Sequence, residues 1–322
     1  MSAARPAAAL ALGLLLSTVP AGAATDLDAD ALLRDHLFNE LRAMPAKERP
    51  TVGVVFSAGS LRATAHVGVI SVLENAGFPV DVVAGTSMGA IVGSLYAGGW
   101  SAKRLWQMGE NLDMKAGTNL NAFSLFSLVF FDNLLSSENV AAFIRGKLGN
   151  KRFEDLKRPF ACVAMDISTG ESIIFRDGEV APAVRASMNL PGIFSPVEYR
   201  HRYLVDGGVV NYIPIDAARL LGARWVLASI TEADYTASRP STVLENLEQV
   251  IDIRGSFLSQ EQRKQADFLI EPNVGDIGLH ETTRSKEAME KGVIAAYKRL
   301  PAAQESLILH SLPALQTRWE AR

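Results

Sequence analysis

Cysteine is nearly absent from this 322-residue chain: Cys162 stands alone. A single cysteine excludes an internal disulfide and a multi-cysteine metal site, so stability has to come from a packed core. Cys162 lies in the apolar run Pro159–Met165, the setting of a buried, inert thiol rather than a catalytic one. Charge of one sign is also missing. The net charge of −3 gives no basic face for nucleic acid. Histidine is scarce, with His36, His66, His201, His280 and His310 scattered and in no metal-binding spacing. There are no internal repeats, no Pro/Ser-rich linker and no long charge run. Apolar residues make up 48% of the chain and charged residues 21%, which suits a globular protein with a substantial core.

The N-terminus reads as an export signal over residues 1–23. Arg5 supplies the basic start, Ala7 to Leu16 the apolar stretch, and Ala21-Gly22-Ala23 a small-x-small cleavage site. The apolar run is shorter than the roughly 20 residues of a membrane span, and an uncleaved anchor is the alternative. The expected location is periplasmic or secreted. Residues 24–50 have helical spacing through Leu33, Leu37 and Leu41, with a disordered spacer as the alternative. A main domain is expected over 51–300 and a tail over 301–322.

Within the main domain, Thr51–Phe56 predicts a strand, Thr64–Asn75 a helix stopped by Gly77, Val80–Ala84 a second strand and Ala90–Ala97 a second helix. Both strands are apolar without alternation, as in strands buried on two faces. The order β-α-β-α then predicts an α/β fold with a central, mostly parallel sheet flanked by helices. Ligands in such sheets sit outside the carboxyl ends of the strands, where the loops after both strands lie. Further on, Phe160–Asp166 and Glu171–Phe175 predict a hairpin, and Tyr203–Val205 and Arg224–Ile230 two more strands. Residues 242–266 and Glu287–Leu300 predict helices. Leu134–Leu148 predicts a helix with Ser136 or Ser137 as N-cap. The stretch 122–131 carries Phe123, Phe126, Phe130 and Phe131. It reads either as a mobile cap making peripheral membrane contact or as an internal packing helix.

Between the second strand and second helix lies Gly85-Thr86-Ser87-Met88-Gly89, the Gly-x-Ser-x-Gly pattern of a nucleophile elbow. The turn is tight, so positions two before and two after the serine must be small. The hydroxyl then projects clear of the sheet, towards the free N–H groups at the start of the next helix. The bland reading is an ordinary β–α turn with Ser87 as N-cap. A serine nucleophile needs a base. His201, His280 and His310 follow Ser87 in the chain, and His280 would complete a Ser87–Asp206–His280 triad. Asp206 itself is the other candidate: it ends an apolar strand and precedes Gly207-Gly208, which permit close approach of backbone or substrate. Burial would raise its pKa towards that of a useful base. On spacing alone, an Asp-Gly-Gly turn that simply reverses the chain explains these residues as well.

Together these stretches resemble the bacterial patatin-like phospholipases, acyl hydrolases with a Ser-Asp dyad, from about Thr51 to Ile230. Gly85–Gly89 is similar to the family's elbow and Leu204–Asn211 to its Asp-Gly-Gly motif. Asp166–Gly170 and Ala186–Val197 are also family-like. The resemblance implies a three-layer α/β/α fold, Ser87 as nucleophile, Asp206 as base, a phospholipid or lysophospholipid substrate, and no cofactor or metal. It also implies an oxyanion hole of N–H groups from Gly59, Ser60 and Met88, supported by Gly85, Gly89, Gly207, Gly208 and Arg62. The family's Gly-Gly-Gly-x-Arg/Lys-Gly loop corresponds here to Ala58-Gly59-Ser60-Leu61-Arg62-Ala63. Only Gly59 and Arg62 match, and a left-handed backbone there would disfavour Ala or Ser. That departure motivates the alternative: a weak or inactive lipid- or partner-binding protein on the same fold. Arg62 either binds a lipid phosphate or stabilises the loop.

Overall fold

The computed structural model describes residues 28–114, 137–236, 240, 243–278 and 281–321. The expected signal (1–23), the phenylalanine-rich stretch 122–131 and His280 lie outside the described residues. The described residues build an eight-stranded mixed sheet. Its strands are β1 (Val52–Phe56), β2 (Val82–Thr86), β3 (Phe160–Asp166), β4 (Ser172–Phe175), β5 (Val197–Tyr199), β6 (Arg202–Asp206), β7 (Trp225–Ser229) and β8 (Phe268–Ile270). The hydrogen-bonded path runs β5-β6-β3-β2-β1-β7-β8, with β4 also on β3. The pairs β1–β2, β1–β7, β2–β3 and β7–β8 are parallel; β4, β5 and β6 join antiparallel.

Unalternating strands follow from two covered faces. On one face Val54, Phe56, Val83, Phe160 and Cys162 pack with α1 (Ala29–Arg42), α2 (Ala65–Asn75), α3 (Met88–Ala97) and α9 (Ser285–Glu320). On the other, Val55, Val82, Ala84, Ala161 and Val163 pack with α7 (Ile215–Leu220) and Leu258 of α8 (Val243–Gln262). Three further helices lie among the described residues: α4 (Ala102–Met114), α5 (Glu138–Leu148) and α6 (Val180–Ser187). Cys162 is fully buried in β3, and desolvation pushes its thiol well above the ordinary range.

Three elements differ from their sequence expectation. Val197–Tyr199 forms β5, a strand the sequence does not announce, which pairs with β6 through a turn at the positive-φ residues Arg200 and His201. The helix expected to stop at Leu300 continues to Glu320 through Pro301 and Pro313. Each proline removes a backbone donor, but Ala303, Leu307, Ile308 and Leu315 are buried and hold the helix on the body of the protein. Ser137 sits at the N-cap of α5 without capping it; its hydroxyl donates to Asn189 Oδ1 at 2.6 Å instead. Gly77 behaves as expected. At φ 63° it ends α2, with its N–H donating to Glu74 O and that of Phe78 to Leu73 O.

Helices α2 and α9 meet at backbone distance through Gly68 and Gly292. A Cβ on Gly292 would lie 2.0 Å from the Ala65 carbonyl, and one on Gly68 2.0 Å from that of Met289. Gly292→Ala should therefore separate the helices and lower stability by about 1–3 kcal/mol. Gly146, inside α5 with open space at its Cβ position, gives the control. Gly146→Ala should stabilise by about 0.5–1 kcal/mol. Urea denaturation of the two variants checks both signs.

Candidate active site

Sheet register brings the two motifs together. Cys162–Met165 of β3 pair with β4. The same strand pairs Phe160–Val163 with β2 and Ala164–Asp166 with β6. A residue bonds along one edge with only one strand, so β2 and β6 must share the edge opposite β4. They approach end to end: Thr86 lies opposite Val163, and Asp206 opposite Ala164. The residue after Thr86 therefore meets the last residue of β6. Ser87 Oγ donates to Asp206 Oδ2 at 2.6 Å, across 119 positions of sequence.

Ser87 has φ 58° and ψ −129°, a sparsely populated backbone state for a residue with a Cβ. The turn is as tight as its glycines imply. A Cβ on Gly85 would lie 2.3 Å from Gly89 O, and one on Gly89 2.4 Å from Ser57 O. The Ser87 N–H donates to Ser187 Oγ at 3.0 Å, and its hydroxyl also lies 3.7 Å from Met188 Sδ. The side chain does not cap α3, which removes the N-cap reading. Met88 opens α3, where the Ala90 and Ile91 N–H groups donate back to Ser87 O and the N–H of a first helical residue has no carbonyl one turn earlier to pair with.

Asp206 is buried. Its Oδ1 accepts from the Gly208 N–H at 2.7 Å, and its own N–H donates to Asn189 O. Desolvation drives its carboxyl up to about 6, against the lowering pull of the Ser87 and Gly208 hydrogen bonds. Gly207 passes so close to β3 that a Cβ would lie 2.4 Å from Val163 O. Asn189 ties the surroundings together. It accepts from Ser137 and donates to the carbonyls of Ser195 and Leu204.

The loop after β1 forms the facing wall. Gly59 has φ 155° and Ser60 φ 49°, so the left-handed backbone is adopted at a serine. A Cβ at Gly59 would lie 2.3 Å from Thr231 Oγ1. Ala58 is fixed by its N–H to Tyr212 O at 2.9 Å and by its carbonyl, which accepts from Thr231 Oγ1 at 3.2 Å. Gly59, Ser60, Ser87, Asp206, Tyr212 and Asp252 are among the residues lining a cleft of only about 20 Å³, room for about one water. A larger hollow of about 300 Å³ lies beyond β7 and β8 between Glu232, Asp234 and Glu271. Arg263 pairs with two of those carboxylates, and neither Ser87 nor Asp206 lines it.

Arg62 does not face open solvent, where a lipid phosphate would sit. It is buried, donating to Asp252 Oδ1 at 2.6 Å and to Ile277 O at 3.2 Å. The histidines within the described residues stand apart from Ser87. His201 and His310 are exposed. His66 is buried between Ser229 Oγ at 2.8 Å and Ser57 O at 3.1 Å, with burial lowering its pKa to about 4. Sequence reasoning missed Ser187, Met188 and Asn189 as site residues, although they lie in a stretch singled out as family-like. It also missed Tyr212, Ile251 and Asp252 in the cleft wall.

The chain matches the family described as Patatin-like phospholipase over residues 54–219. It is 34% identical over 180 residues to patatin-like phospholipase domain-containing protein 6 of Mus musculus, a match covering 55% of this chain and 13% of that protein. It is 28% identical over 278 residues to an uncharacterized NTE family protein of Mycobacterium tuberculosis, covering 78% of this chain and 47% of the relative. The chain thus spans less than half the length of either relative. Among solved structures, human GIVD cytosolic phospholipase A2 aligns with a TM-score of 0.46 and 12% identity, over 88% of this chain and 64% of that one.

The raised Asp206 carboxyl makes this site a local cost to folding. Below the pKa of about 4 that the residue has when unfolded, both states hold the proton. As pH rises through about 6 the folded carboxyl must ionise in a dry site, and stability is lost. Asp206→Asn should therefore raise unfolding free energy by up to about 3 kcal/mol at pH 8, with the gain vanishing below about pH 4. Denaturant melts across that range check the prediction, and a variant less stable at pH 8 would contradict it.

Proposed function

Because this chain belongs to the patatin-like phospholipase family, we propose that it is a lipid acyl hydrolase of the phospholipase A or lysophospholipase type, acting through Ser87 and Asp206. One observation carries the reading: the 2.6 Å hydrogen bond from the Ser87 hydroxyl to a buried carboxylate whose pKa is raised to about 6. A carboxylate so placed is a competent base near neutral pH, which an exposed aspartate is not.

In the proposed reaction Ser87 Oγ attacks the ester carbonyl carbon while Asp206 Oδ2 takes the hydroxyl proton. The carbonyl oxygen gains the negative charge and is held by N–H groups of Gly59, Ser60 and Met88. Collapse of the tetrahedral adduct breaks the ester C–O bond. The leaving alcohol takes the proton from Asp206, and an acyl-Ser87 remains. Water then attacks that ester with Asp206 again as base, releasing the fatty acid and restoring the serine. No step calls on a metal or an organic cofactor.

Three further readings accompany this one. The chain is exported, with cleavage after Ala23, and the mature protein carries a helical segment from 24 followed by a catalytic domain from 51 whose last helix, α9, runs on past 300 in place of a separate tail. The lipid surface meets the phenylalanine-rich stretch 122–131. A catalytically weak or inactive lipid- or partner-binding protein on the same fold is the competing reading.

A fluorophosphonate probe should label the wild-type protein and fail on Ser87→Ala. Labelling that persists in Ser87→Ala, or is absent from wild type, counts against the dyad. Asp206→Asn should lower kcat/KM by at least about 10²–10⁴-fold. Since only the ionised carboxylate accepts a proton, kcat/KM should climb about tenfold per pH unit below about 6 and level off above it. A flat profile from pH 4 to 8 would contradict Asp206 as base. Mass spectrometry of the exported protein should find Ala24 at its N-terminus.

A further inference from the structure

The loop that faces Ser87 has Gly59 as its one glycine, so the left-handed backbone falls on Ser60 at φ 49°, a conformation that costs strain there and that glycine would adopt freely. Something outside the loop must fix it. On one side Ala58 and Gly59 are clamped by Tyr212 and Thr231. On the other, the anchor is Arg62, whose guanidinium reaches Ile277 O at 3.2 Å and Asp252 Oδ1 at 2.6 Å. The Arg62 side chain is 5% exposed and that of Asp252 24%. The Arg62 Nε has no partner among the described residues, so two contacts hold this buried cation. Asp252 belongs to α8, 190 positions away in sequence, and lines the cleft with Ser60 and Ser87.

We propose that Asp252 is a positioning residue for the oxyanion loop: through Arg62 it fixes the Ser60 N–H against the site where negative charge develops. The proposal rests on the Ser87–Asp206 reading. Two physical points favour it over a merely structural ion pair. A buried pair is weak evidence for stability, because desolvation opposes the Coulomb gain. Its effect here falls on the geometry of a loop whose donors must sit about 2.7–3.1 Å from the oxyanion, where a displacement of about 1 Å can cost roughly 10²-fold in rate. An unpaired carboxylate in the cleft wall would, moreover, repel the developing oxyanion, and Arg62 cancels that charge.

The test uses a soluble short-chain ester and the rate of fluorophosphonate labelling. Asp252→Asn and Arg62→Gln should each lower kcat by about ten- to a hundredfold, with KM within about twofold. The double variant should fall no more than about threefold below the slower single one, because the two residues act as one unit. Asp252→Glu should recover most of the kcat lost in Asp252→Asn. Arg62→Lys covers the case in which Asp252→Asn does not fold. It keeps the charge but cannot span both acceptors, and it should lose kcat likewise. Circular dichroism establishes that each assayed variant is folded. Equal or faster turnover in Asp252→Asn or Arg62→Lys, a change confined to KM, or fully additive losses would overturn the positioning role while wild-type labelling leaves the dyad intact. Absence of labelling in wild type would overturn both.

Discussion

The sharing of one edge of β3 by two strands is the constraint on which the site depends. Because β4 occupies the opposite edge, β2 and β6 have only the remaining one, and they divide it at the step from Val163 to Ala164. That division places Ser87 and Asp206 in contact without help from any flexible loop. The glycines on either side belong to the same arrangement: Gly89 clears the end of β1, and Gly207 clears β3. Local turn chemistry and long-range register thus specify the same few ångströms.

The sheet also explains why the carboxylate behaves unlike a surface aspartate. It ends a strand whose neighbours are apolar, its one other partner is a backbone N–H, and desolvation outweighs both hydrogen bonds in setting its proton affinity. The strained backbone of Ser87 and the dry carboxylate are both local costs that the surrounding core must offset. Large buried side chains such as Phe56, Phe160 and Trp225 supply such a core. Activity and stability oppose one another at these residues, as expected where chemistry requires a state that folding alone would not select.

Much of this was legible in the sequence because the signals were local. The elbow is a strand, a turn and a helix within a dozen residues, and the unalternating strands announced a sheet covered on both faces. The Asp-Gly-Gly turn was visible, but its proximity to Ser87 was not, since that follows from register on a third strand. The strand β5 was hidden by its length: three residues, Val197–Tyr199, are too few to show a pattern. The length of α9 was hidden by Pro301 and Pro313, whose local preference is overridden by packing against the body. Asp252 left no trace at all: an ion pair across 190 positions has no periodicity and no neighbouring motif. Ser60 is the reverse case. Its residue type argued against a left-handed backbone, and the fold imposes one nonetheless.

The small volume of the cleft bears on kinetics. A space of about 20 Å³ has room for about one water, the size of the second nucleophile in the proposed reaction. An acyl ester is far larger, so beside Ser87 there is space for little more than the reacting carbonyl unless lining side chains shift. The free energy of any such shift comes out of substrate affinity, whichever lipid is bound.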